Sequence, residues 1–544
     1  MPVSLPLLPA RRLVQAACHS LVAGLVLAGG CRASSLPPAS PGPAALPDPP
    51  SLPAAAPVAE VPAPPGPLHW PVSAPAAIQP ADPVLWVALA ARIGPGNDAA
   101  DAPPLRLQSA GGALTLIDAK GQRFMTPQLL LHWRRRPLPA PLVIQRRVVG
   151  PFPSYESADQ VARGWRAQGT SVQIAKPGEW ELWAPPDAPD PIGQSVRLVT
   201  STETSQLVLE LRRSQGTVDL SGPLRLEAPQ GLNWQGGTYA GPFRLQADAY
   251  GTWSLVEQVP LERYLEGVVP HEIGAGAPPA ALAAQAVLAR TWAVRNRHRF
   301  VVDGYHLCAD TQCQVYSDPR LAGAEVRQAI DSSQGQVLAA AGQPIHAVYH
   351  ASNGGVAAGF EEAWRGEALP YLQAFADGPA AFSARFPLPL ASARLPELLS
   401  DGGQAWGADH PAFRWRRRVT ASQLQEALAG GAPGGALPSR LKVLKRGASG
   451  RVLALEIGGN GSSKVLRLDA IRRTLRQLPS TLFRVSPAGP GVWLVEGAGF
   501  GHGAGLSQAG AIDQARRGWS RDQILRHYYR GTELVPLQAL GDAL

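Results

Sequence analysis

At 544 residues the chain exceeds one ordinary domain, and with 45% hydrophobic residues it can bury a substantial core. Its formal net charge of +9 favours an anionic partner. Nucleic acid is the usual candidate for such a charge, but no nucleic-acid module is visible in the sequence.

Residues 1–31 read as an export signal. Arg11 and Arg12 precede an apolar run over 13–27, and the small residues Ala28, Gly29 and Gly30 lead to Cys31. The run is short for a bilayer span. Its end resembles a lipoprotein cleavage box in which Cys31 would carry the lipid, the one membrane contact expected, although Ala28 stands where Leu is usual. Residues 32–83 are mostly Pro, Ala, Ser and Val with almost no charge, a composition that cannot offset its ordering entropy and predicts an extended tether.

A small β-rich segment is expected over 84–140, with strands at 84–87 and 113–117 between Gly turns. A β-α-β unit follows over 141–200: strand residues at 143–144 and 147–149, Ser154 capping a helix that Gly169 ends, then strands at 171–174 and 180–183. The run VVGPFPSYESADQVARGWRAQGTSVQIA resembles half of a SPOR-type repeat, a module that binds peptide-free glycan strands. A small structural α+β unit reads equally well.

The remainder, 204–535, changes character. Strands are expected at 207–211, 243–247 and 253–256, and Pro260 is placed to start a short helix over 261–265. Pro278 and Pro279 open an Ala-rich helix ending near His298, with Leu282, Ala286, Ala289 and Ala293 at helical spacing. The fold class is α+β, with several mixed or antiparallel strands around a few helices.

Four motifs carry the chemistry: VPLERYLEGVVPHEIGAGAPPAALAAQAVLARTWAV, GYHLCADTQCQVY, AVYHASNGG, and GFGHGAGLSQAGAIDQARRG closed by HYYRGTEL. Each is weak alone. Together and in this order, over about 205–534, they closely resemble the stage II sporulation protein D family, whose members include amidase enhancers.

The resemblance implies a peptidoglycan lytic transglycosylase acting on glycan strands in the cell envelope, and no cofactor is expected. The net charge of +9 and Arg290 predict a preference for peptide-free strands, whose lactyl groups are free carboxylates. Glu272 matches the family's catalytic glutamate. Such an acid must keep its proton near neutral pH, which apolar neighbours such as Val268, Val269 and Ile273 would favour, while the following helix N-terminus opposes it. Arg290 matches an arginine expected to read the lactyl carboxylate of muramic acid; a structural ion pair is its other reading. Ala283 stands where relatives often carry a second cation. Tyr349, His350, Ser352 and Asn353 suit sugar hydrogen bonds, and His502, Ser507 and Gln508 lie on a Gly-rich turn where a sugar could approach the backbone.

Some relatives hold zinc with two cysteines and a histidine beside the second. Gln312 occupies that position here, which leaves Cys308 and Cys313, even with His306, short of a zinc site. A short-loop disulfide or a free thiol pair is the preferred reading. A zinc-protease motif fails at Ala275, and no register of 497–510 gives a dinucleotide-binding glycine pattern. The rival from another class is a non-enzymatic wall-binding protein that recruits or stimulates a cell-wall amidase.

Overall fold

The computed structural model describes residues 67–95, 102–214, 216–400, 402–428, 437–459 and 462–543. The expected export signal, Cys31 and the tether up to residue 66 lie outside them. The expected tether gives way to packed chain before residue 83. Ile78 is buried, Leu68 O accepts from Arg146 at 2.6 Å, and Trp70 lies against Gly251. Bulky apolar residues among the prolines give this stretch something to bury. No helix among the described residues is long and apolar enough to cross a membrane.

The fold is α+β, built on two large sheets. The first has seven strands in the order Leu307–Cys308, Val84–Ile93, Trp253–Pro260, Phe243–Ala247, Leu224–Glu227, Leu114–Ile117 and Arg123–Thr126. All neighbours are antiparallel except Leu307–Cys308, which runs parallel to Val84–Ile93. The second sheet has eight strands around Gln128–Phe152, a 25-residue strand that pairs with Arg197–Arg213 along most of its length. Both sheets cross the boundaries expected near 140 and 204. Strands 84–126 complete the sheet of the later segment, and one strand runs straight through residue 140.

The β-α-β outline follows its local signals. Helix α1, Tyr155–Arg166, is capped by the Ser154 hydroxyl, which accepts from the Ser157 amide, and Gly169 takes a left-handed φ of 84° after it. This unit docks on the rest of the chain through Glu156 and Arg299, both buried and ion-paired. Burial pushes the Glu156 carboxyl up to about 8 even with the guanidinium beside it.

Helix α2, Leu261–Val269, starts after Pro260 as expected and runs one turn further. A π-helical turn, Pro270–Gly274, leads to helix α3, Pro279–Asn296. The Ala-rich α3 is buried on every side from Ala281 to Val294, more than the single apolar face its spacing predicts. Residues 414–498 add two three-stranded sheets with an apolar cluster of their own around Val419, Leu455, Ile457 and Val495.

Buried histidines make the fold sensitive to acid. His306 Nδ1 accepts from the Trp86 amide at 3.0 Å, and burial pulls the ring down to about 4. Burial and the flanking arginines pull His298 to about 3. Both rings are neutral when folded but take a proton near pH 6.5 once unfolded, so stability is lost as pH falls from 6.5 towards 4. Urea denaturation at pH 7.5 and pH 4.5 should show His306 alone contributing a loss on the order of 3 kcal/mol. His306→Asn keeps an acceptor and should flatten that slope; an unchanged slope would remove His306 from this role.

Candidate functional site

Glu272 sits on the π-helical turn between α2 and α3, partly exposed. Its Oε1 accepts from the Val315 amide at 3.1 Å, which fixes the carboxylate direction. Behind it runs a buried polar chain: the Tyr264 hydroxyl donates to Gln314 Oε1 at 3.2 Å, and Gln314 Nε2 donates to the Tyr349 hydroxyl at 2.8 Å. Burial, then the Glu272 charge, pushes the Tyr264 phenol well above its ordinary range. Gly267 lets α2 lie against this floor, since a Cβ there would come within 2.4 Å of the Tyr316 ring and 2.5 Å of Ser317 O. Cys308 and Cys313 are joined in a disulfide just before Gln314 and Val315, and so close the loop that holds Glu272.

Arg290 lies elsewhere than the expected sugar contact. It is 0% exposed; Nε and Nη2 donate to the two oxygens of Glu262 at 2.8 and 2.5 Å, and Nη1 donates to Gln336 O at 3.0 Å. Glu262 also accepts from the Gly335 amide at 3.2 Å. The guanidinium locks α3 to α2 and to the strand Gln336–Ala340, the structural ion pair rather than a lactyl reader.

The third and fourth motifs are brought together, but facing inwards. Tyr349–His350 pairs in parallel with Leu506–Ser507. His502 donates from Nε2 to Tyr349 O at 2.9 Å and accepts on Nδ1 from the Ala504 amide at 3.1 Å. His350 donates from Nδ1 to Ala504 O at 3.1 Å; burial, then the nearby His502 and Arg451, holds its pKa well below the ordinary range. The Ser352 hydroxyl accepts from the Gly354 amide, Asn353 Nδ2 donates to Asp377 at 2.6 Å, Ser507 caps helix α4, Gln508–Arg516, and Gln508 reaches Gln285 on α3 at 3.4 Å. Tyr349, His350, Ser352, Asn353, His502, Ser507 and Gln508 are each at most 8% exposed. Most of their polar groups are bonded within the protein, with His350 Nε2 left without a hydrogen bond among the described residues, so the expected sugar contacts are not on an open surface here. The glycines are also taken. A Cβ on Gly505 would meet Val348 O at 2.0 Å, and one on Gly503 would meet the Arg451 guanidinium at 2.3 Å, so the close approach they permit is of protein to protein.

Several residues here escape sequence reasoning. Gln314 lies inside a recognised motif, overshadowed by its cysteines. Asp377 carries no sequence signal, yet this fully buried carboxylate accepts from Asn353, from the Tyr528 hydroxyl at 3.0 Å and from His527 Nε2 at 2.7 Å. His527 and Tyr528 belong to HYYRGTEL, on helix α5, Arg521–Tyr528. Arg451, also buried, donates to Asn353 O and Val356 O at 2.9 and 3.0 Å.

Two family models match the chain: Stage II sporulation protein over residues 249–339, and a domain of unknown function over 358–505. Stage II sporulation protein D of Bacillus subtilis (strain 168) is 29% identical over 303 residues, 52% of this chain and 77% of the relative. The protein of that name from Bacillus amyloliquefaciens is 29% identical over 51% of this chain and 75% of its own. The amidase enhancer of Bacillus subtilis (strain 168) is 27% identical over 50% of this chain and 40% of its own. The first model contains Glu272, Arg290 and the disulfide; the second contains Asp377, Arg451 and the glycines from Gly499 to Gly505, while residues 349–355 and 506–508 of the buried support lie outside both. The chain thus matches the stage II sporulation protein model over residues 249–339 and resembles the stage II sporulation protein D family over about half its length.

Proposed function

We propose that this chain is an exported lytic transglycosylase that cuts peptidoglycan glycan strands between N-acetylmuramic acid and N-acetylglucosamine, with Glu272 as its single acid and base. The observation that carries the reading is the setting of Glu272: partly exposed, oriented by one amide and backed by the buried chain from Tyr264 to Tyr349. Protonated Glu272 would give its proton to the glycosidic oxygen as the C1–O bond breaks. The carboxylate so formed would take the C6 hydroxyl proton while that oxygen attacks C1, closing a 1,6-anhydro ring and restoring the acid. Neither water nor a second carboxylate enters, unlike ordinary glycoside hydrolysis.

A second reading is supported by the relative named amidase enhancer: a wall-binding protein that recruits or stimulates an amidase without cutting strands. Product chemistry separates the two, because anhydro-muramyl ends form only if this chain cuts. In either reading the net charge of +9 favours peptide-free strands, whose lactyl groups are free carboxylates, and that preference should weaken as salt rises. Export, with a lipid on Cys31, is part of the same proposal.

Digestion of purified glycan strands followed by mass spectrometry should show anhydro ends with the parent protein and none with Glu272→Gln, since an amide cannot shuttle the proton. Comparable turnover by the variant would remove Glu272 from its role.

Arg290→Gln should lose about 3 kcal/mol in urea denaturation, because it leaves the Glu262 carboxylate without its partner. It should leave the ratio of rates on peptide-free and peptide-bearing strands unchanged. A stable variant with lost selectivity would return Arg290 to the substrate.

A further inference from the structure

Trp406, Trp519, His527 and Phe375 form a row of half-buried aromatic rings in ring-to-ring contact. Trp406 lies 5.9 Å from Trp519, Trp519 lies 5.5 Å from His527, and His527 lies 5.0 Å from Phe375, each pair steeply tilted or edge to face. Exposed arginines sit at both ends, Arg517 5.0 Å from the Trp406 ring and Arg530 4.6 Å from the Phe375 ring. Four partly exposed rings thus come together from three separated segments of the chain.

We propose that this row is a binding subsite for peptide-free glycan strands, separate from the Glu272 turn; it rests on the glycan-cutting reading above. The chemistry is complementary at three levels. The C–H faces of a pyranose ring are apolar and pack on aromatic surfaces, while sugar hydroxyls need polar partners at the ring edges. His527 supplies such a partner in the middle of the row. Its Nε2 is held by the fully buried Asp377, which leaves Nδ1 for a ligand hydroxyl. The arginines at the ends suit the lactyl carboxylates that a strand exposes once its peptides are gone. Arg517 also pairs with Asp513 at 2.8 Å, so Arg530 is the stronger anion reader.

The row is also tied to the buried support of the candidate site. Asp377 holds His527 on one oxygen and Asn353 on the other, so the ring that would touch the strand shares a carboxylate with the AVYHASNGG motif. A strand bound here would touch a ring that shares Asp377 with Asn353, in the same motif as the Tyr349 behind Glu272.

The test is equilibrium binding of peptide-free glycan strands, with neutral chitin oligosaccharides as the second probe, in the full chain carrying Glu272→Gln so that nothing is cut. Trp519→Ala should weaken both probes about tenfold. Arg530→Gln should weaken the charged strand alone and reduce the salt dependence of its binding. If Trp519→Ala melts early, Trp519→Phe, which keeps a stacking ring, should restore most of the affinity, and the exposed Arg530→Gln still carries the test. Strip variants that bind both probes as tightly as their parent overturn the subsite and leave the Glu272 reading intact. A Glu272→Gln protein that still cuts, beside strip variants that bind poorly, overturns the catalytic assignment and supports the subsite. A parent that binds neither probe overturns both.

Discussion

Helix α3 is buried on every side from Ala281 to Val294, so its polar side chains depend on protein partners; Arg290, Thr291 and Gln285 find them, while Gln285 Nε2 and Trp292 Nε1 make no hydrogen bond among the described residues. Its Arg290 takes both oxygens of Glu262 and the Gln336 carbonyl; its Thr291 hydroxyl donates to Val287 O and accepts from the Leu338 amide; its Gln285 meets Gln508. Apart from the bond to Val287 within the helix, these tie α3 to three neighbours: α2, the strand Gln336–Ala340 and α4. Because α2 ends where the Glu272 turn begins, the internal bookkeeping of α3 sets where the candidate acid stands.

The same logic governs the motif residues around 349–353 and 499–508. Buried histidines and serines hydrogen-bond the backbone and the asparagine holds Asp377, while left-handed glycines let carbonyls and a guanidinium come closer than any Cβ allows. Small and polar residues at fixed spacing therefore mark close packing here. That is a harder constraint than sugar contact, because a buried polar group left unpaired costs about 1–3 kcal/mol.

Much of the fold is legible in sequence where the signal is local. The strand expected at 243–247 forms as Phe243–Ala247, Ser154 caps α1, and the two prolines open α3 within a residue of its start. What fails is what depends on distant partners. Nothing near Arg290 in sequence announces Glu262, 28 positions away, and nothing near residue 84 announces its pairing with 260. The end of the proline-rich stretch is misplaced for the same reason: Trp70 and Ile78 look like strays in a tether until the surface that covers them is known.

Glu272 is the residue that both lines of reasoning share, and its setting explains why. Its side chain must remain reachable while its position is dictated from behind, so it needs exposure and rigidity together. The π turn that Pro270 opens gives the first, and the Val315 amide, on a loop closed by the Cys308–Cys313 disulfide, gives the second. Residues that only hold such a turn are buried and recur as motifs. Residues that meet a long polymer can be spread over several segments, as Phe375, Trp406 and Trp519 are, because a surface is specified by where side chains end up rather than by spacing along the chain. Spacing along the chain therefore marks the candidate acid and its scaffold but passes over the ground on which a strand would lie.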